Sequence, residues 1–146
     1  MKLKEIRNLF ERELENLAEE IEAYNDETKL WLTTNEVKNS AGNLAIHLVG
    51  NLQHFIGSIL GNSGYVRKRD EEFSTKNLPK SEILDLVNQT KEIVLKTLDS
   101  LEESELGKEF PIEVFEKMTT GFFLIHLYGH LTYHLGQINY HRRILA

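Results

Sequence analysis

Four of the six histidines in the chain lie in one stretch, Gly121 to Ala146, with the sequence GFFLIHLYGHLTYHLGQINYHRRILA. His126, His130 and His134 recur at every fourth residue, and at about 100° per residue each step of four advances a helical side chain by only about 40°. A helix gathers all three on one side, and His141, seven residues beyond His134, returns close to the same azimuth. Imidazoles spaced by four on a helix can converge on one metal ion. A single histidine on a helix is more often a hydrogen-bonded core or interface residue than a ligand. Four in sixteen residues shift that balance, because each buried polar group left without a partner costs about 1–3 kcal/mol. A shared cation satisfies several rings together.

Two helical ligands do not complete a site, since a catalytic metal centre usually has about three protein ligands and an open position. The chain has no cysteine, and its only other histidines are His47 and His54. His47 shares a helical face with Gly50, Asn51 and His54, a small or polar stripe inside an oily segment. Such a stripe needs partners. His47 and His54 are nearly in line on a helix, so spacing leaves open which of them is the ligand.

The elements that must position these residues follow from periodicity. Leu3, Ile6, Leu9, Phe10, Leu14, Leu17, Ile21 and Tyr24 form one apolar stripe, which predicts a first amphipathic helix from Met1 to about Tyr24. Asn25 to Asn39 is polar and turn-rich, with Asp26 as a cap and a short helical turn that tucks Trp31 against the rest. Asn39-Ser40 offers an N-cap for a second helix through Leu60, stopped by Gly61-Asn62-Ser63-Gly64. Tyr65 to Phe73 reads as a charge-rich solvated loop, with ion pairs or an anionic ligand as other uses for its arginines. Pro79 and Ser81-Glu82 open a third helix to about Leu101. Glu113 to Met118 is expected to form a helical turn before Thr119-Thr120 caps the last helix. Four helices of about twenty residues without an alternating strand predict a single all-α domain over residues 1–146, a four-helix bundle. Bundles commonly carry metal sites in their core, and here the second and fourth helices hold every histidine.

Composition narrows the function. At 146 residues the chain is long enough to bury a core without disulfides. Its formal net charge of -6 argues against a nucleic-acid surface. No run approaches the roughly eighteen apolar residues of a membrane span. The N-terminal stretch is too acidic for a signal peptide, and the lack of cysteine suits a reducing compartment, so the expected location is the cytoplasm.

The fourth-helix stretch His126-Leu-Tyr-Gly-His130-Leu-Thr-Tyr-His134-Leu-Gly136-Gln137 resembles the HxxxHxxxHxGQ pattern of the DinB-like metal-binding bundles. Asn39-Ser40 followed by His47-Leu-Val-Gly50-Asn51-Leu resembles the NS…HLxGN pattern of a DinB-related branch of uncharacterised proteins. The stretch Arg67-Lys-Arg69-Asp70-Glu-Glu72-Phe73 is similar to that branch's Arg-x-Arg-Asp-x-Glu-Phe. The resemblance implies an up-down-down-up bundle, a homodimer, and a divalent metal ion held by His47, His130 and His134. It makes His126 a neighbour on the same face and Gln137 a pocket residue, both counted with the cofactor-binding residues, and it gives His54 and His141 no ligand position. Relatives in the superfamily include thiol S-transferases and a mycothiol-dependent isomerase, so a low-molecular-weight thiol is an implied partner.

Three neutral imidazoles leave the charge of a divalent ion uncompensated, which favours binding hydroxide or thiolate. Zinc suits such a shell most readily; nickel, iron and copper suit it also. Two enzyme mechanisms follow: a small thiol ionises and attacks an electrophilic substrate, or bound water hydrolyses one. The second needs a general acid or base, and neither helical motif carries a carboxylate beside its ligands. Outside enzymology, the same residues serve a non-catalytic stress protein that binds metal or a small ligand, or a metal-free polar network. Tyr128 and Tyr133 differ in azimuth from the histidines and are expected in packing or a dimer contact.

Overall fold

A computed structural model of the chain describes residues 2–146, and in it the apolar stripes read above become the inner faces of an all-helical fold. Among the described residues there are five α-helices and no strand: α1 (Leu3–Glu22), α2 (Ala41–Leu52), α3 (Arg69–Ser74), α4 (Lys80–Ser100) and α5 (Thr120–Leu145). Met1, the expected first residue of the first helix, lies outside the described residues. Among the described residues, no helix is long and apolar enough to cross a membrane.

α1 packs on α4 and α5, and α2 packs on the same two helices. Phe10 meets Tyr128 edge-on, and Glu20 accepts hydrogen bonds from Asn139 and Arg142, so α1 and α5 run side by side in one direction. Arg7 pairs with Asp99 and Lys80 with Glu22, so α4 runs the opposite way along α1. Across α2, His47 faces His130 while Phe55 faces Phe123, an antiparallel match with α5.

Local chemistry sets the helix starts. Ser40 Oγ accepts from the Asn43 amide at the head of α2, and Thr119 Oγ1 accepts from the Phe122 amide at the head of α5. Asp26 caps the short 3-10 turn Glu27–Trp31, and Trp31 lies so close over Gly42 that a side chain there would collide with its ring. The indole Nε1 donates to the Leu78 carbonyl at 3.3 Å, so Trp31 ties α2 to the approach of α4.

Three expectations fail. The second helix does not stay α-helical to Leu60: from Gln53 it widens into a π-helix, ending in the Gly61–Gly64 stop where Asn62 and Gly64 take positive φ. Tyr65 to Phe73 is not a solvated loop throughout. Its second half folds as α3, because Asn43 Nδ2 donates to the Glu72 and Thr75 carbonyls and draws this segment onto α2. Glu113 to Met118 forms no helical turn. Phe110 and Met118, and Lys108 and Thr120, pair through their backbones and hold the segment as an irregular loop.

His141, in line with the ligand candidates by spacing, is a core residue. Tyr24 donates its hydroxyl to His141 Nδ1 at 2.7 Å, and His141 Nε2 donates to the Leu32 carbonyl at 2.9 Å. Tyr24→Phe strands that buried ring nitrogen and is expected to cost about 1–3 kcal/mol. Urea unfolding measures this, and an unchanged midpoint would contradict the assignment.

Candidate metal centre

His47 projects from α2 and His130 and His134 from α5, and their Nε2 atoms meet at one point. His130 Nε2 lies 3.1 Å from His47 Nε2 and 3.2 Å from His134 Nε2. Metal–nitrogen bonds of 2.0–2.1 Å place ligand nitrogens about 3.3–3.4 Å apart around a tetrahedral ion and about 2.9 Å apart on an octahedral face. The observed separations fall between these two values, so the three rings can hold a metal ion.

The opposite edge of each ring decides whether a lone pair faces that point. His47 Nδ1 donates to Glu72 Oε1 at 2.9 Å, and His134 Nδ1 donates to Gln137 Oε1 at 2.7 Å. In the neutral rings both Nε2 atoms are then left with lone pairs turned toward the centre, the arrangement that orients metal-binding histidines. A metal-free network does not suit this geometry. With those two lone pairs facing inward, His130 can donate to only one of them, and its buried Nδ1 already lacks a partner.

Burial, reinforced by His134 and His47, lowers the His130 pKa to about 4. Burial also lowers that of His134, against the raising effect of its bond to Gln137. Both rings are neutral near neutral pH, as metal ligands must be.

Glu72 is the residue that local sequence reasoning missed. It is 3% exposed, and Arg67 donates to both its oxygens, through Nε at 2.8 Å and Nη2 at 3.0 Å. Burial alone would raise its pKa, but the hydrogen bonds from His47 and Arg67 and the Arg67 charge outweigh that and hold it below the usual carboxylate range. Gly50 makes the approach possible, because a Cβ at that position would collide with the Glu72 carboxylate. Among sequence signals, only the similarity of the Arg67-to-Phe73 stretch to a family pattern singled this glutamate out.

The other histidines lie outside the cluster of three nitrogens, though His126 lines the smaller cavity beside His47 and His130. His54 lies two turns along from His47, about 10 Å by helical rise, and its ring packs on Phe55. His126 stacks on Phe123 and meets Phe115 edge-on, one turn before His130. Gln137 is a positioning residue for His134. Tyr128 accepts a hydrogen bond from Arg12, while Tyr133 is exposed beside His134.

Two cavities flank the histidines. The larger, about 700 Å³, is lined by His134, Gln137, Tyr133, Tyr140 and Leu44. The smaller, about 290 Å³, opens on His47 and His130.

Residues 1–146 match the family described as protein of unknown function (DUF1572), and the chain belongs to that family. No curated protein matches it.

Glu72→Gln keeps the shape but puts an amide against the Arg67 donors. It is expected to weaken metal binding about 10–100-fold, read by competition with a chelating dye; unchanged affinity would contradict the role given to Glu72. The metal-free chain should also respond to acid. The folded pKa of His130 is about 4, below the unfolded value of about 6.5, so the unfolded state takes up the proton first. Stability is full above about pH 6.5 and falls as pH drops toward about 4. Denaturation midpoints of chelator-treated protein across that range would show the fall, and a flat profile would count against it.

Proposed function

We propose that His47, His130 and His134 ligate a divalent metal ion, zinc in the first instance, in an enzyme that activates a low-molecular-weight thiol for transfer to an electrophilic substrate. The observation that carries this reading is the convergence of three Nε2 atoms whose rings are fixed from behind by Glu72 and Gln137. Bound there, a divalent ion supplies Lewis acidity, which lowers the pKa of a coordinating thiol or water. The chain's own residues orient and insulate. Glu72, with Arg67 on both its oxygens, holds the His47 ring, and Gln137 holds the His134 ring.

The thiol route is favoured over hydrolysis because Glu72, the carboxylate bonded to His47, is already engaged by His47 and Arg67. As a general base it would have to break those bonds. A reaction centre is favoured over a closed structural site because cavities reach the histidines from two sides.

The helix pairings support reading the four long helices as an up-down-down-up bundle of the DinB-like kind, with α3 as an addition that carries Glu72. We place the protein in the cytoplasm as a homodimer. Support for the dimer comes from the outer face of α5, where Phe122, Ile125, Tyr133, Tyr140 and Ile144 are exposed.

His130→Ala tests the function. Wild-type protein purified without a histidine tag is expected to carry about one ion per chain, and the variant to lose it while keeping its helical content. On cobalt-substituted wild-type protein, titration with a small thiol should raise a thiolate charge-transfer band. Metal bound without that band would leave the thiol reading unsupported, and full occupancy in His130→Ala would overturn the ligand assignment.

A further inference from the structure

The smaller cavity beside the histidines has a chemistry of its own. Arg67, Arg69 and Asn51 line it together with the histidines, and Phe55, Phe115 and Phe123 supply its apolar wall. No carboxylate side chain is among its lining residues. The two arginines are held in different ways. Arg67 sits over the Phe55 ring at 5.8 Å while its other edge binds Glu72. Arg69 sits over the Phe73 ring at 5.6 Å and, among the described residues, makes no ion pair.

The polar groups of this cavity are also underused. The two buried side-chain atoms that lack a hydrogen-bond partner among the described residues are Asn51 Oδ1 and His130 Nδ1, and both residues line it. Asn51 is 7% exposed. A buried amide oxygen without a donor costs about 1–3 kcal/mol, a cost that an ordered water would remove by giving one proton to Asn51 Oδ1 and the other to an anion in the cavity. The larger cavity differs: Glu36 and Lys38 balance each other there, and the rest of its wall is mainly apolar or tyrosine.

We infer that the Arg67–Arg69 cavity binds a small substrate that carries a carboxylate on a planar apolar body, with the carboxylate on the arginines and the body against the phenylalanines. Guanidinium groups match carboxylates in shape as well as charge, and no carboxylate lines the cavity; Glu72 behind Arg67 offsets that arginine's charge, so Arg69 carries the net attraction for an anion. The aromatic wall accounts for the apolar part, since phenylalanine rings prefer flat or edge-on partners. The inference rests on the metal-centre reading for its chemical purpose, because it would place the electrophilic substrate beside the ion. Its binding step depends on the arginines alone.

Benzoate is the probe, with benzamide as its uncharged counterpart of the same shape. Calorimetric titration of wild-type protein, zinc-loaded and chelator-treated, is expected to show benzoate binding in both forms, with benzamide at least about tenfold weaker. Arg69→Gln, which leaves Glu72 and its partners in place, is expected to weaken benzoate about tenfold at unchanged zinc content. Asn51→Asp, which adds a negative charge to the cavity, should weaken benzoate while sparing benzamide. Equal binding of benzoate and benzamide would overturn the inference, and so would benzoate binding that survives Arg69→Gln or requires zinc, since the carboxylate would then sit elsewhere. Failure of the metal-centre reading is distinguishable: elemental analysis would find no zinc in samples whose benzoate binding still depends on Arg69.

Discussion

The buried carboxylate of Glu72 is the constraint on which the rest depends. An ionised carboxylate inside a helical core is tolerated only when its oxygens are occupied, and here Arg67 and His47 occupy them. That requirement brings α3 against α2, needs Gly50 to leave the space open, and uses Asn43 to hold the α3 backbone from the head of α2. In return the carboxylate fixes the His47 tautomer. A ring that would otherwise rotate is held with its Nε2 toward His130 and His134.

The helices make this local arrangement a site. α5 presents two histidines one turn apart, and the antiparallel match of α2 with α5 sets His47 opposite both. The same match places Phe55 on Phe123 and continues the contact as a cluster of aromatic rings toward Phe110. Rigid packing on both sides of the histidines allows their nitrogens to remain about 3 Å apart at the meeting point of two cavities.

What could be read from the sequence divides along the line between local and distant information. His130 and His134 were legible because a spacing of four on a helix is a local fact, and the caps at Ser40, Asp26 and Thr119 were legible for the same reason. The choice between His47 and His54 was open to spacing, because both sit on one stripe and only the register of α2 against α5 separates them. His141 shared the ligands' azimuth, yet its partners Tyr24 and Leu32 arrive from distant parts of the chain. Glu72 was hidden in a run of charges, where Lys68, Arg69, Asp70 and Glu71 face water and nothing in the sequence marks Glu72 as the buried one. The π-helical widening after Leu52 left no local mark, since its residues are ordinary helix-compatible ones.

The central claim is that three imidazoles, one from α2 and two from α5, surround one ion. Metal-edge X-ray absorption on the zinc-loaded protein tests it most directly, because imidazole rings scatter in a characteristic pattern beyond the first shell. The account predicts three imidazoles at about 2.0–2.1 Å with any remaining position filled by a lighter, non-imidazole donor. A shell with one imidazole or none, or one dominated by carboxylate oxygens, would contradict it.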